Sequence, residues 1–314
     1  MPLFLTIINK MLKIQQENIY GWDGYRLISK DVSLGIIPQM GGRIISLTHQ
    51  GEELFFVQDE FKGDIYYLDK IDNLRDKKLE MGFRVWGGDK TWVSPQQAWW
   101  EAIPPIDLDA GSYSIKIDGN TVEMQSPICR ETGLRIIRRI RLDDGIVHLQ
   151  QTFRNETNNL INRGIWNVTQ VLRPFEVYLP ASRNNIKAYR DEGLNEDASS
   201  KISKESNFVK VLCDDNTHFK VGGFIDEGII VALRKTNAGT LAFSRLFDVD
   251  LKCQYAHNAS VEIYNSKKYN YLEIEVHAPL VTLGKGQEVS HSQTWILKRF
   301  DNNIDPEEVF RMLE

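Results

Sequence analysis

Apolar and polar residues alternate with a period of two along most of the chain, which predicts strands over helices. Residues 271–279 show it best: Leu272, Ile274 and Val276 fall on one face, Glu273, Glu275 and His277 on the other. Asp118-Gly119-Asn120 separates the alternating runs 112–117 and 121–125, and Asp143-Asp144-Gly145 separates 134–142 from 146–153. Such turns need φ > 0 and mark hairpins. Similar runs occur at 32–37, 43–47, 224–233 (with a turn at 226–228), 261–264 and 292–297. Helical patterns are few; Pro306 to Leu313, preceded by Asp305, reads as a capped helix with proline in its first turn. The charge-rich stretches 61–80 and 189–207 read as solvated loops. The expectation is an all-β chain, mostly antiparallel, folded as two large packed sheets. Residues 1–20 form an extension leading into the first strand, 21–300 a single β domain, and 301–314 the C-terminal helix.

Composition narrows the function classes. Apolar residues make up 42% and charged residues 26%, which is globular and not disordered. A net charge of -5 argues against nucleic acid as partner. The run 135–141 has basic residues, but Arg139 and Arg141 alternate with Ile140 and Leu142, as on the wet face of a strand. No stretch approaches 18 apolar residues, so no membrane span is expected. Cys129, Cys213 and Cys253 have neither disulfide nor metal-ligand spacing and read as free thiols in a cytoplasmic setting. No metal or other cofactor is expected. The start has no secretory pattern, and Met11 is an alternative first residue to Met1.

Candidate chemistry lies in three segments. Alternate residues of a strand are about 6.6 Å apart, so Glu273, Glu275 and His277 could share one small ligand and exchange protons with a sugar hydroxyl. The same pattern also describes an ordinary wet strand face. In 82–96, the paired glycines Gly87 and Gly88 allow a tight turn or close approach, followed by Asp89, Lys90 and Trp92. Trp92 is the better candidate for stacking on a sugar, whereas Trp86 and one of Trp99 and Trp100 read as buried plugs. Asp89 and Lys90 could equally be a surface ion pair. In the third segment Asn167, Thr169 and Gln170 offer amide and hydroxyl groups to a polyol, or simply line a strand. Arg43 and Arg84 leave open a phosphate or carboxylate on the ligand.

These pieces, in this order, resemble the galactose mutarotase-like superfamily of aldose 1-epimerases, and within it the DUF4380 branch. The resemblance rests on Gly41-Gly42-Arg43-Ile44-Ile45-Ser46-Leu47, on Gly87-Gly88-Asp89-Lys90-Thr91-Trp92 with Pro95, on 259–264 and 272–275, and on Thr294-Trp295-Ile296-Leu297. It implies a large antiparallel supersandwich holding a sugar over one polar concave sheet. It further implies a glutamate base at the anomeric hydroxyl, nearest Glu273 with Glu275 as the alternative, and a histidine acid at the ring oxygen. Neither usual histidine position is histidine in this chain: Trp86 precedes the paired glycines, and Asn167-Val168-Thr169-Gln170-Val171 stands where the second motif ends. His277, His257 and Lys90 are the substitutes for the acid. Two functions follow: aldose mutarotation or a related isomerisation, or sugar binding without turnover. Hydrolysis ranks below both, because Glu101 and Glu273 cannot be opposed across a glycosidic bond from sequence.

Overall fold

A computed structural model describes residues 12–68, 70–181, 185–189, 198–205, 207–236 and 238–313. Two large antiparallel sheets account for most of it. The front sheet runs, in spatial order, Lys13–Ile19, Trp22–Ser29, Val32–Ile37, Arg43–His49, Gly88–Ser94, Ile161–Leu172, Tyr271–His277, Val261–Asn265, Phe219–Gly223 and Ile186–Ala188. The back sheet runs Ile202–Lys204, Val209–Cys213, Phe175–Leu179, Ile229–Thr236, Gly239–Phe247, Glu288–Phe300, Ile146–Asn155, Leu134–Asp143, Thr121–Gln125 and Ser114–Asp118. The all-β expectation holds.

Local sequence explains the pairing. Asp144 and Gly145 take φ of 52° and 81°, the left-handed turn that sets Asp143 opposite Ile146. Gly119, at φ 56°, does the same for the Asp118–Thr121 pair. The inward faces meet in one apolar core, to which the front sheet sends Leu272, Ile274 and Val276 and the back sheet Leu149, Phe153, Phe243 and Trp295. Cys129 and Cys213 are buried, Cys253 is exposed, and all three are free. No helix among the described residues is long and apolar enough to cross a membrane.

Four expectations change. The first strand, Lys13–Ile19, lies inside the supposed 1–20 extension and pairs in full register with Trp22–Ser29; residues 1–11 lie outside the described chain. In the run 224–233 the break expected at 226–228 is present, but the stretch before it is not a strand: pairing stops at Gly223 and resumes at Ile229. The 61–80 stretch contains the helix Leu74–Met81, whose N-cap Asn73 accepts from the Arg75 and Asp76 amides at 3.1 and 3.2 Å. No apolar stripe advertised this helix, because its buried face includes Lys78, neutralised by Glu131 at 2.6 Å. In 189–207, the described part holds a short 3-10 turn, Ala198–Lys201, and the Ile202–Lys204 strand; residues 190–197 and 206 lie outside the described chain. The terminal helix, Pro306–Arg311, forms as expected, with Asp305 accepting from the Glu307 amide at 2.9 Å.

The paired glycines serve the fold directly. At φ 108° and 68°, Gly87 and Gly88 bring their own backbone against residues 56–57 and 44–45. A Cβ on Gly88 would sit 2.4 Å from the Ile44 carbonyl oxygen. Gly88→Ala is therefore expected to lower stability by at least about 1–3 kcal/mol in urea unfolding. Gly51→Ala, at φ 82° but with open space around it, should lose less and isolates the backbone contribution. Equal losses would show that the close approach at Gly88 costs nothing.

Candidate functional site

Register carries polar residues of five strands onto the outer face of the front sheet. Gln170 lies opposite Glu273, Glu273 opposite Tyr264, and Tyr264 opposite Lys220, forming one row across four strands. In the adjacent row Lys90 faces Val168, Val168 faces Glu275, and Glu275 faces Glu262. A third row sets Trp92 against Trp166 and Trp166 against His277. On each strand these side chains alternate with residues that face between the sheets.

Over this face lies a hollow of about 730 Å³. Its floor includes Trp92, Trp166, Glu273, Tyr264 and Lys220, and the 58–85 segment supplies a wall bearing Phe61, Phe83 and Arg84. Tyr269 and Tyr271 add further aromatic surface. Trp92 packs edge-on against Trp166 and Trp99, at 5.2 Å each, and against Phe83 at 5.8 Å, while Trp99 and Trp166 stack at 5.6 Å. Trp99 is buried in this cluster, and Trp86 is buried in a separate one behind the 58–85 wall.

The three residues of the 271–277 strand have different fates. Glu273, 9% exposed, lines the hollow; its Oε1 accepts from Gln170 Nε2 at 2.7 Å and lies 3.6 Å from Lys90 Nζ. Glu275 is fully buried, accepting from Trp166 Nε1 at 2.8 Å and Lys220 Nζ at 3.0 Å. His277 is buried too, its Nε2 2.9 Å from Glu262 Oε2 and its ring stacked on Trp166 at 5.1 Å.

Charge is unevenly shared below the floor. Burial, reinforced by the carboxylates of Glu262 and Glu273, pushes Glu275 well above the usual carboxylate range despite the Lys220 ammonium. Burial opposes ionisation of Glu262 as well, but Lys220, His277 and His257 hold it well below that range. Glu262 is thus the ionised member of the pair. Burial lowers His277, favouring neutral imidazole, and lowers Lys90 more strongly than Glu273 can offset. Lys220, although buried, is kept cationic by Glu275 and Glu262.

His257, Glu262 and His277 bring ligand-type atoms within 4.8 Å of one another. Hydrogen bonding already uses them: Glu262 Oε2 is met by His277 Nε2, by His257 Nδ1 at 3.2 Å and by Lys220 Nζ at 3.0 Å. His257 Nε2 accepts from the Gln96 amide at 3.4 Å, which leaves the ring proton on Nδ1, facing Glu262.

The structure therefore sorts the candidates. Glu273, Trp92 and Arg84 border the hollow. Gln170 and Lys90 hold Glu273 from the side and are themselves buried. Glu275 and His277 form a layer beneath. Two placements correct the expectation. Asp89 points the other way, between the sheets, where it pairs with Arg138 and accepts from Asn167 Nδ2 at 2.8 Å and Thr169 Oγ1 at 2.7 Å. It is neither a surface partner of Lys90 nor a wall of the hollow, because neighbours on a strand face opposite ways. Arg43 is buried beside the hollow, bound to Asp109 Oδ1 at 2.6 Å and stacked 5.3 Å over Trp86. Asp109 also accepts from Trp92 Nε1 at 2.8 Å, so Arg43 steadies that tryptophan through a shared carboxylate. Arg84 bonds the Met81 carbonyl at 3.0 Å and lies 3.7 Å from Asp64.

Sequence reading passed over Lys220, Glu262, Trp166 and Tyr264. The signal was present: Phe219-Lys220-Val221 and Val261-Glu262-Ile263-Tyr264 alternate as clearly as 271–277 does. What one strand cannot show is which other strands lie beside it.

Solved structures with this fold include the Slr1438 protein of Synechocystis sp. PCC 6803, at 10% identity and TM-score 0.58, covering 91% of this chain and 100% of that one. A galactose mutarotase-like protein from Lactobacillus casei aligns at 8% identity and TM-score 0.58, covering 87% and 99%. A candidate aldose 1-epimerase from Klebsiella pneumoniae aligns at 12% and 0.59, covering 92% and 84%. At such identities the likeness establishes the fold, a galactose mutarotase-like supersandwich. No curated protein matches the sequence. Residues 24–298 match the domain of unknown function DUF4380, and the chain belongs to that family.

Proposed function

We propose that the hollow binds a sugar or sugar derivative and that Glu273 is the base that exchanges its anomers. The observation carrying this reading is that Glu273, alone among the carboxylates of the buried rows, lines the aromatic hollow. The half-buried rings of Tyr264 and Tyr269, with the bordering parts of Trp92 and Trp166, suit the C–H faces of a pyranose, and a carboxylate among them suits its hydroxyls. Glu273 would take the proton of the anomeric hydroxyl as the ring opens and return it on either face as the ring recloses. The fold likeness to mutarotase-like proteins supports the same substrate class. A small sugar, together with the free thiols, also favours a cytoplasmic setting.

A second reading, sugar binding without turnover, is favoured by one observation: no histidine among the described residues lines the hollow. One screen separates the two. Thermal stability and anomer exchange, by saturation-transfer NMR, are measured against a panel of neutral, phosphorylated and acidic sugars. A ligand at 100 times its Kd should stabilise the fold by about 2.7 kcal/mol. Stabilisation with accelerated exchange supports catalysis, and stabilisation at background exchange supports binding alone. No response to any sugar would remove both.

A further inference from the structure

We propose that Lys220 is the proton donor to the ring oxygen, facing Glu273 across the sugar in the place a histidine would otherwise fill. This rests on the sugar reading of the hollow and assigns its missing partner. Lys220 lies in the same cross-strand row as Glu273, two strands away with Tyr264 between them, so their backbones stand about 10 Å apart. Both line the hollow. A base and a cation therefore border one hollow, set apart by the width of two strands.

The surroundings of Lys220 fix its direction. An ammonium has three N–H donors. Two are spent below the floor, on Glu262 Oε2 and Glu275 Oε2, each at 3.0 Å. The third has no acceptor among the described residues, on a side chain that borders the hollow. Its charge lies 5.1 Å from the centre of the Trp166 ring, whose Nε1 also binds Glu275. His277 and His257 close on Glu262 from the far side, at 2.9 and 3.2 Å. The histidines thus act at one remove: they hold the carboxylate that holds the lysine.

The step balances without a co-reactant. Glu273 accepts the proton of the anomeric hydroxyl, the C1–ring-oxygen bond breaks, and its electron pair goes to the ring oxygen, which takes a proton from Lys220. C1 becomes an aldehyde. Rotation about C1–C2 presents its other face, and closure returns one proton to Lys220 and the other from Glu273 to the new hydroxyl. Glu262 stays in place as the counter-charge throughout, with Glu275 accepting from the same lysine.

The test uses the full chain and the panel sugar that native protein exchanges fastest. Lys220→Ala should slow exchange by about 100-fold or more, and added ethylamine, entering the vacated space, should restore a substantial part of it. Because the ionised Glu262, left without its lysine, could unfold the chain, Lys220→Ala/Glu262→Gln, which removes one charge of each sign, is measured alongside and should show the same loss and the same recovery. Recovery that grows with the acidity of the added amine, across ethylamine and its less basic analogues, would not follow from a purely structural role. Native exchange in either variant overturns the proposal, as does a loss in folded protein that ethylamine leaves unchanged. If Glu273→Gln silences exchange while both Lys220 variants keep it, Lys220 alone is misassigned. If native protein is stabilised by a sugar but exchanges none, the donor role falls and the binding site stands. If it neither responds nor exchanges, the sugar reading fails with it.

Discussion

Glu273→Gln is expected to slow anomer exchange by about 100- to 10,000-fold, the range a positioned acid or base supplies, with little change in stability. Glutamine keeps the shape and an oxygen that can still accept from Gln170 Nε2, now at 2.7 Å, but cannot take a proton at neutral pH. The nearest cation, Lys90, stands 3.6 Å away and loses only a partner at the outer limit of pairing. Polarimetry or saturation-transfer NMR with a sugar that native protein exchanges gives the answer. A variant matching the parent's rate would end the assignment of Glu273 as base. Glu275 offers no equivalent experiment, because it lies wholly beneath Trp166 and Lys220 and meets no ligand directly.

Asp89→Ala is expected to destabilise the fold by about 3–5 kcal/mol, the cost of stripping one partner from a buried ion pair. Asp89 and Arg138 are both fully buried between the sheets. The Arg138 guanidinium also donates to the carbonyls of Gly42, at 2.7 Å, and Asp89, at 3.1 Å. Asn167 and Thr169 complete the cage of Asp89, and Arg245 from the back sheet reaches Thr169 Oγ1 and the Ile274 carbonyl, both at 2.9 Å. Removing the carboxylate leaves a buried guanidinium without its counter-charge. Urea unfolding should show a lower midpoint at unchanged slope. A loss under about 1 kcal/mol would mean that water or a rearranged neighbour solvates Arg138 as well as Asp89 does.

The two experiments mark what the sequence disclosed. Alternation in 271–277 divided Leu272, Ile274 and Val276 from Glu273, Glu275 and His277 correctly, because period two is a property of one strand alone. Alternation could not tell which outer residues meet a ligand and which lie under a neighbour. That depends on cross-strand rows assembled from stretches far apart, such as Trp166 and Glu275, 109 positions apart. Asp89 was misplaced for a related reason: proximity to Lys90 and Trp92 in sequence suggested a shared face, whereas adjacent strand residues face opposite sides. The Leu74–Met81 helix stayed hidden because a paired lysine does the work usually given to an apolar residue. Lys220 and Glu262 were readable in kind but not in place, since nothing in a short strand names its partners.

The strict division of labour along the Tyr271–His277 and Ile161–Leu172 strands has a consequence for how this lineage can change. Odd and even letters of these strands carry almost separate messages, one for cohesion and one for recognition. Point substitutions at the recognition letters could retune ligand choice while the cohesive set stays untouched, whereas gaining or losing a single letter would exchange the two messages wholesale. Divergence here should therefore proceed by replacement and spare these strands from insertion and deletion.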